Sequence, residues 1–145
     1  MAVPLDTNIF VRLLNPQAPQ AVLAERALNA LRASGEELQI TSQNLVEFWA
    51  VATRPVAENG LGLSVEQAFK EVSALKSLFV LLPEIPLQSE WERLVTQYSV
   101  SGKGCHDARL VAAMMVHGTL TILTFNMQDF SRYDRITVLD PRAVS

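Results

Sequence analysis

Short apolar runs alternate with longer amphipathic stretches along the whole chain. Five of these runs have the length of buried strands, and they cover residues 2–5, 38–41, 79–82, 120–124 and 136–139. The stretches between them repeat apolar side chains at the three- and four-residue spacing of helices, which predicts helices over residues 7–15, 20–34, 42–54 and 106–117. A short helical turn is predicted over residues 126–130.

Several helix ends are marked by residues with strong local preferences. Gly35 and Gly118 follow apolar stripes and predict helix ends, and Pro55 stops the helix before it because proline cannot continue the hydrogen-bond pattern. Capping-box spacing predicts the starts of two further helices, at Ser64 with Gln67 and at Ser89 with Glu92. One apolar side of the first of these is predicted to carry Val65, Ala68, Phe69, Val72, Leu75 and Phe79.

This alternation of strands and helices predicts an α/β fold, with a central parallel sheet of about five strands and helices on both faces. No repeat, low-complexity tract or linker interrupts residues 1–145, so a single domain is expected. A hydrophobic content of 49% with 19% charged residues is typical of a globular protein rather than a disordered one. In open sheets of this kind, ligands bind beyond the carboxyl ends of the strands. Side chains that follow strands are therefore the first candidates for a site.

Charge and cysteine content restrict the cellular setting. The net charge is −3, which by itself argues mildly against a nucleic-acid-binding protein, since such proteins usually carry a basic surface. A single cysteine, Cys105, excludes an intramolecular disulfide and suits a reducing cytosol. The N-terminus lacks the pattern of a secretory signal, and no apolar run approaches the ~18 residues of a membrane span. A cytoplasmic protein without membrane association is expected.

Four acidic side chains follow predicted strands. Asp6 comes directly after the first strand, and Glu47 lies about one turn into the helix after the second. Asp107 opens the helix that follows residues 101–104, and Asp129 lies a few residues beyond the fourth strand. Each acid alone has an ordinary explanation, as a helix cap or as a solvated surface charge.

Glu47 fits the ordinary explanation least well. It lies within LVEFWAV, where its neighbours are apolar, and a buried carboxylate without a partner costs several kcal/mol. No lysine or arginine lies on that stretch, so a metal ion is a serious alternative. Mg²⁺ and Mn²⁺ prefer oxygen ligands, whereas the absence of HxxH and CxxC patterns argues against zinc. Acids that hold metal would also account for part of the negative net charge, which weakens the objection to a nucleic-acid substrate.

Four segments, in order, resemble the PIN-domain ribonucleases, most closely the VapC-type toxins of bacterial toxin–antitoxin pairs: LDTNIF, QNLVEF, HDARLVAA and TFNMQDF. The tail ITVLDP also resembles the last strand of that family, so the similarity spans nearly the whole chain. The resemblance implies a Mg²⁺- or Mn²⁺-dependent endoribonuclease that hydrolyses RNA through metal-activated water. It also implies a homodimer and a small inhibitory antitoxin.

The resemblance assigns roles residue by residue. It makes four acids both catalytic residues and metal ligands, namely Asp6, Glu47, Asp107 and Asp129, and all four are expected to face one pocket. Asn8, Thr124 and Asn126 match positions that support such a site. Five basic residues close to the motifs are candidates for contacts with RNA phosphates, namely Arg12, Arg54, Lys103, Arg109 and Arg132. Phe125 departs from the family, which often carries a basic residue there; it is expected in the core, with stacking on an RNA base as the alternative.

Three other functions remain open at the level of sequence. A haloacid-dehalogenase-type phosphatase also has an acid after its first strand, but it usually has a second acid at the position of Asn8. A receiver-like signalling domain would have an aspartate at the end of its third strand, where FVLLPEIP offers only Glu84. A non-catalytic PIN-like binding module would be favoured if one of the four acids were missing, and none is.

Overall fold

The computed structural model describes residues 1–15 and 17–145. Within these ranges the strands are β1 (Ala2–Pro4), β2 (Glu37–Ile40), β3 (Val80–Leu81), β4 (Thr121–Leu123) and β5 (Thr137–Leu139). The α-helices are α1 (Thr7–Leu13), α2 (Gln20–Ala33), α3 (Ser42–Thr53), α4 (Val65–Leu78), α5 (Gln88–Gln97) and α6 (Gly104–His117). Short 3₁₀ helices cover Val56–Glu58, Met127–Phe130 and Pro141–Ala143. No helix of the described residues is long and apolar enough to cross a membrane.

All strand pairs are parallel, as predicted, but the strands do not form one continuous five-stranded sheet. Within the described residues, β2 pairs with β1 on one side and β3 on the other, while β4 forms a ladder only with β5. The two ladders meet at one isolated bridge between Leu5 and Leu123. At this bridge the Asp6 N–H donates to the Leu123 carbonyl at 3.0 Å.

Pro4 removes one possible backbone hydrogen bond from this junction. The Leu5 N–H donates to Gln39 of β2, and the next N–H, of Asp6, donates to Leu123 on the opposite side. Because successive backbone N–H groups of a strand point to opposite sides, the nitrogen of Pro4 faces β4. Proline has no N–H to donate, so β1 cannot donate a hydrogen bond to β4 at this position.

Two hydrophobic cores lie on opposite faces of β4. Ile122 packs in a core with residues of α5 and α6, whereas Leu123 packs in the larger core with residues of α1, α2, α3 and α4. Successive strand residues point to opposite faces, so β4 carries helices on both of its sides. The junction of β1 with β4 therefore lies between the two helical layers.

Helix ends agree with the sequence at some positions and differ at others. The capping box of Ser64 and Gln67 is confirmed, and Gly118 ends α6 in the left-handed region at φ +70°. The prediction of a capping box at Ser89 is wrong, because α5 already begins at Gln88 and the N-cap residue of α5, Leu87, makes no side-chain hydrogen bond. α6 begins at Gly104, which places Asp107 inside the first turn instead of at the opening.

The apolar side of α4 is wider than the part that is buried. Ala68, Leu75 and Phe79 are buried as predicted, whereas Phe69 is 63% exposed and Val65 is 66% exposed. Successive helical residues are about 100° apart around the axis, so Phe69 points well away from the direction of Ala68. Five of the six predicted positions belong to α4 itself, and Phe79 is its C-cap residue.

Candidate acidic site

Asp6 sits where β1 turns into α1, and both of its carboxylate oxygens accept hydrogen bonds. It is the N-cap of α1, and its Oδ1 accepts from the Thr7 N–H at 2.7 Å. Its Oδ2 accepts from the Thr124 hydroxyl at 2.7 Å and from Asn8 Nδ2 at 3.3 Å. The cap explanation is therefore correct for the local structure. It does not exclude a second role, since a carboxylate has further lone pairs to offer.

Glu47 lies on α3 and is also held by neutral donors. Its Oε1 accepts from the Thr7 hydroxyl at 2.7 Å, and its Oε2 accepts from Gln43 Nε2 at 3.3 Å. The side chain is half-buried, and among the described residues no ion pair includes it. This agrees with the sequence, where no cation is placed to neutralise Glu47.

Asp107 and Asp129 lie beside the same cleft as Asp6 and Glu47, on the other side of the junction between β1 and β4. Asp107 lies in the first turn of α6, and Asp129 lies in the short helix that follows β4. Asp107 is half-buried and Asp129 is exposed. Within the described residues neither side chain makes a hydrogen bond, so their oxygens are available to a ligand.

All four acids line one cleft with a volume of about 500 Å³. The cleft is also lined by polar and basic side chains, among them Thr7, Asn8, Arg12, Arg54, Asn59, His106 and Asn126. The cleft lies beyond the carboxyl ends of β1 and β4, which is where open α/β sheets bind ligands.

The crowding of acids changes how two of them ionise. Burial raises the pKa of Asp6 to about 6; hydrogen bonds from Thr124 and Thr7 oppose this, and the charges of Glu47 and Asp129 add to it. Burial also raises the pKa of Asp107 to about 7, with further increases from the charges of Asp6, Asp129 and Glu47. A divalent cation would remove the repulsive part of both shifts.

The donor set fits a hard divalent ion in its chemistry, since all four groups are carboxylates. As the side chains stand, no three Asp, Glu, His or Cys residues of the described ranges are close enough to hold one ion together. Carboxylates repel one another without a cation, and Mg²⁺ usually keeps several of its waters. The arrangement therefore fits an ion held partly through water or after small side-chain rotations.

Most of the residues predicted to support the site or to contact RNA lie in the cleft or directly beneath it. Asn8, Arg12, Arg54 and Asn126 line the cleft, and Thr124 lies fully buried beneath it, bonded to Asp6. Phe125 is 6% exposed and packs in the larger core, as expected.

Lys103 and Arg109 do not line the cleft. Arg109 donates to Gln43 Oε1 at 3.0 Å and borders a second cleft formed with residues 82–88. Residues two apart on a helix point about 200° apart, so Arg109 faces away from the side that Asp107 presents. Contact of either residue with RNA stays a prediction.

Three residues that hold Glu47 in place were not predicted from the sequence. Thr7 bonds Glu47, Asn44 bonds Thr7, and Gln43 bonds both Glu47 and the His106 carbonyl. A signal was present for two of them. Thr41 and Asn44 have capping-box spacing, and Gln43 lies one helical turn before Glu47.

A family model and several solved structures resemble this chain over nearly its whole length. The family model of the PIN domain matches residues 3–136. No curated protein matches the sequence. Among solved structures, VapBC2 from Rickettsia felis bound to a promoter DNA fragment contains a chain that aligns with a TM-score of 0.71 and 19% identity, covering 97% of this chain and 98% of that one.

Two further structures have the same fold. VapBC-1 from nontypeable Haemophilus influenzae aligns with a TM-score of 0.67 and 18% identity, over 97% of this chain and 98% of that chain. FitAcB from Neisseria gonorrhoeae aligns with a TM-score of 0.67 and 19% identity, over 99% of this chain and all of that one. At these identities the likeness establishes a common fold.

Proposed function

The chain belongs to the PIN-domain family, and we propose that it is a divalent-metal-dependent endoribonuclease, the toxin of a type II toxin–antitoxin pair. The observation that carries the proposal is the cleft itself. Four carboxylates from separate parts of the chain line it, and within the described residues none of the four forms an ion pair. Such a set is costly without a cation and useful with one.

The four acids would hold Mg²⁺ or Mn²⁺ directly or through water. When bound, the ion would supply Lewis-acid chemistry that activates water and stabilises charge at phosphorus. Thr124 and Asn8 keep Asp6 in place by donating to its Oδ2. Arg12 and Arg54 lie in the same cleft and would contact the RNA phosphates. We expect products with 5′-phosphate and 3′-hydroxyl ends.

Partners follow from the same proposal. Solved structures with this fold include VapBC and FitAB assemblies, which supports a small antitoxin protein as the binding partner. We further propose that residues 1–145 form a single nuclease domain, that it acts as a homodimer, and that it works in the cytoplasm. Family membership favours these roles over a haloacid-dehalogenase-type phosphatase or a receiver domain.

One experiment separates nuclease from binding module. Purified protein is incubated with a mixed RNA sample in Mg²⁺, in Mn²⁺ and in EDTA, and the product ends are mapped. Cleavage in either metal, its loss in EDTA, and its loss in Asp107→Asn support the proposal. Glu25→Gln is the matched control, because Glu25 is an exposed acid on α2 outside the cleft. RNA that stays intact under all conditions, with the protein folded, would leave only a binding role.

A further inference from the structure

Thr7 contacts two of the four acids through two different groups. Its backbone N–H donates to Asp6 Oδ1 at 2.7 Å, and its hydroxyl donates to Glu47 Oε1 at 2.7 Å. Asp6 is the N-cap of α1 and Glu47 lies on α3, so this one residue links carboxylates that are carried by two different elements.

The direction of the hydroxyl bond is fixed by Asn44. Asn44 Nδ2 donates to Thr7 Oγ1 at 3.1 Å, and an amide nitrogen can only donate. The Thr7 oxygen therefore accepts from Asn44, and its one proton goes to Glu47, which as a carboxylate only accepts. Thr7 is 8% exposed and Asn44 is fully buried, so water does not compete strongly for these groups.

Asn44 is itself fixed by the cap of α3. Its Oδ1 accepts from the Thr41 N–H at 2.8 Å and from the Thr41 hydroxyl at 3.1 Å, and its own N–H donates back to that hydroxyl at 3.1 Å. The acceptor side of the amide is thus committed to the capping box. Its donor side must point to Thr7, and a flipped amide would place two donors against each other.

We propose that Thr7, held by Asn44, is a positioning residue that fixes Glu47 for metal binding, so that the capping box of α3 anchors the acidic cleft. The inference rests on the function proposed above. A glutamate has more rotatable bonds than an aspartate, and ordering it before the ion arrives lowers the entropy cost of binding. Thr7 holds Oε1, while Oε2 accepts one longer hydrogen bond from the described part of the chain, from Gln43 at 3.3 Å, and remains available to the ion.

The test compares Thr7→Val with Thr7→Ser, and it needs no RNA. Valine keeps the shape of threonine but loses the hydroxyl, whereas serine keeps the hydroxyl. Melting temperature is measured against Mg²⁺ and Mn²⁺ concentration to obtain an apparent affinity. Loss of a group that orients a metal ligand typically weakens metal binding by about 10–100-fold. We expect at least a tenfold loss in Thr7→Val and near-wild-type affinity in Thr7→Ser.

A double variant shows whether Thr7 acts through Glu47. In the Glu47→Gln background, Thr7→Val should weaken metal binding no further. If Thr7→Val does not fold, Thr7→Ala replaces it, because Thr7 borders the cleft and water can then reach Asn44. Equal metal affinity in wild type and in the folded Val or Ala variant overturns the inference. If the melting temperature of the wild-type protein does not change with either metal, the proposed function is overturned as well. This result distinguishes failure of the proposed function from failure of the inference about Thr7.

Discussion

The Thr124 hydroxyl donates to Asp6 Oδ2 at 2.7 Å and joins residues 118 positions apart. Thr124 Oγ1 in turn accepts from Asn8 Nδ2 at 3.1 Å and from the Asn126 N–H at 3.0 Å. All hydrogen-bonding capacity of this hydroxyl is therefore used. Thr124 is fully buried, so none of these bonds can be replaced readily by water.

Thr124→Val should destabilise the protein because it removes three hydrogen bonds without changing the shape of the side chain. Leaving buried polar groups unpaired costs about 1–3 kcal/mol each in mutational data, and we expect a loss in that range for the variant as a whole. Urea denaturation in EDTA measures it. Thr124→Ser keeps the hydroxyl and should lose clearly less. Equal losses in the two variants would assign the effect to the methyl group.

Asp107→Asn should reduce metal-dependent RNA cleavage by at least ~100-fold, because it removes a charge from the cleft while keeping the size of the side chain. Arg109→Ala should do less harm, since Arg109 lies outside the cleft and bonds Gln43. Initial rates at saturating Mg²⁺ give the comparison. Near-normal cleavage by a folded Asp107→Asn protein would show that other residues carry the chemistry.

Asp6→Asn should remove most of the stabilisation that Mg²⁺ provides. At ten times its dissociation constant, an ion that binds only the folded state adds about 1.4 kcal/mol, which is a few degrees in melting temperature for a domain of this size. Asparagine also caps helices well, so a purely structural Asp6 would leave the metal response unchanged. Melts of both proteins in EDTA and in millimolar Mg²⁺ distinguish the two roles.

Without metal, stability should fall as pH rises from about 4 to 8. The pKa of Asp6 is raised to about 6 and that of Asp107 to about 7. A carboxyl group with a raised pKa in the folded state favours folding while protonated, and this contribution is lost as pH passes through the folded-state pKa. For the buried Asp6 the change is on the order of 2–3 kcal/mol, and the more exposed Asp107 adds less.

Denaturation in EDTA at several pH values between 5 and 8 checks this slope. Asp6→Asn should flatten it, because the substituted group does not titrate. Saturating Mg²⁺ should also weaken it, since the ion competes with protons for the same oxygens. A wild-type stability that rises over this pH range would contradict the shifts.

Gly60→Ala should destabilise the turn beside the cleft. A Cβ at Gly60 would lie 2.0 Å from the Arg54 carbonyl oxygen, which is backbone and cannot move independently. Forcing extra volume into such a packed position costs about 1–3 kcal/mol. Because Arg54 and Asn59 line the cleft, binding of RNA should weaken as well.

Gly104→Ala provides the matched control. Its Cβ would lie 3.3 Å from a side-chain methyl of Val100, and alanine suits a helical position better than glycine. Thermal melts should show a loss for Gly60→Ala and little change for Gly104→Ala. A tolerated Gly60→Ala would indicate that the turn shifts without cost.

The positions of the four acids could be predicted because each depends on a short local pattern. Asp6 follows an apolar run, and the carboxyl ends of parallel strands meet at one edge. The partners of Glu47 could not be predicted in the same way. Thr7 reaches Glu47 only because α1 packs against α3, and the distance between these two helices is set by tertiary packing.

Other differences have similar physical causes. The exposure of Phe69 depends on how much of α4 the neighbouring helices cover, which periodicity alone does not specify. Pro4 marks a position without a donor, but which neighbouring strand it faces depends on register. Local signals thus located the elements and the acids, while contacts between elements decided which side chains support them.

The short junction between β1 and β4 gives the molecule a seam, and the cleft lies across it. Asp6 and Glu47 belong to the three-stranded part, whereas Asp107 and Asp129 are carried by α6 and the segment after β4. One backbone bridge leaves much of the cohesion at this seam to side chains such as Thr124 and Asn8. An ion shared by acids from both sides would hold the two parts of the sheet together where few backbone hydrogen bonds connect them.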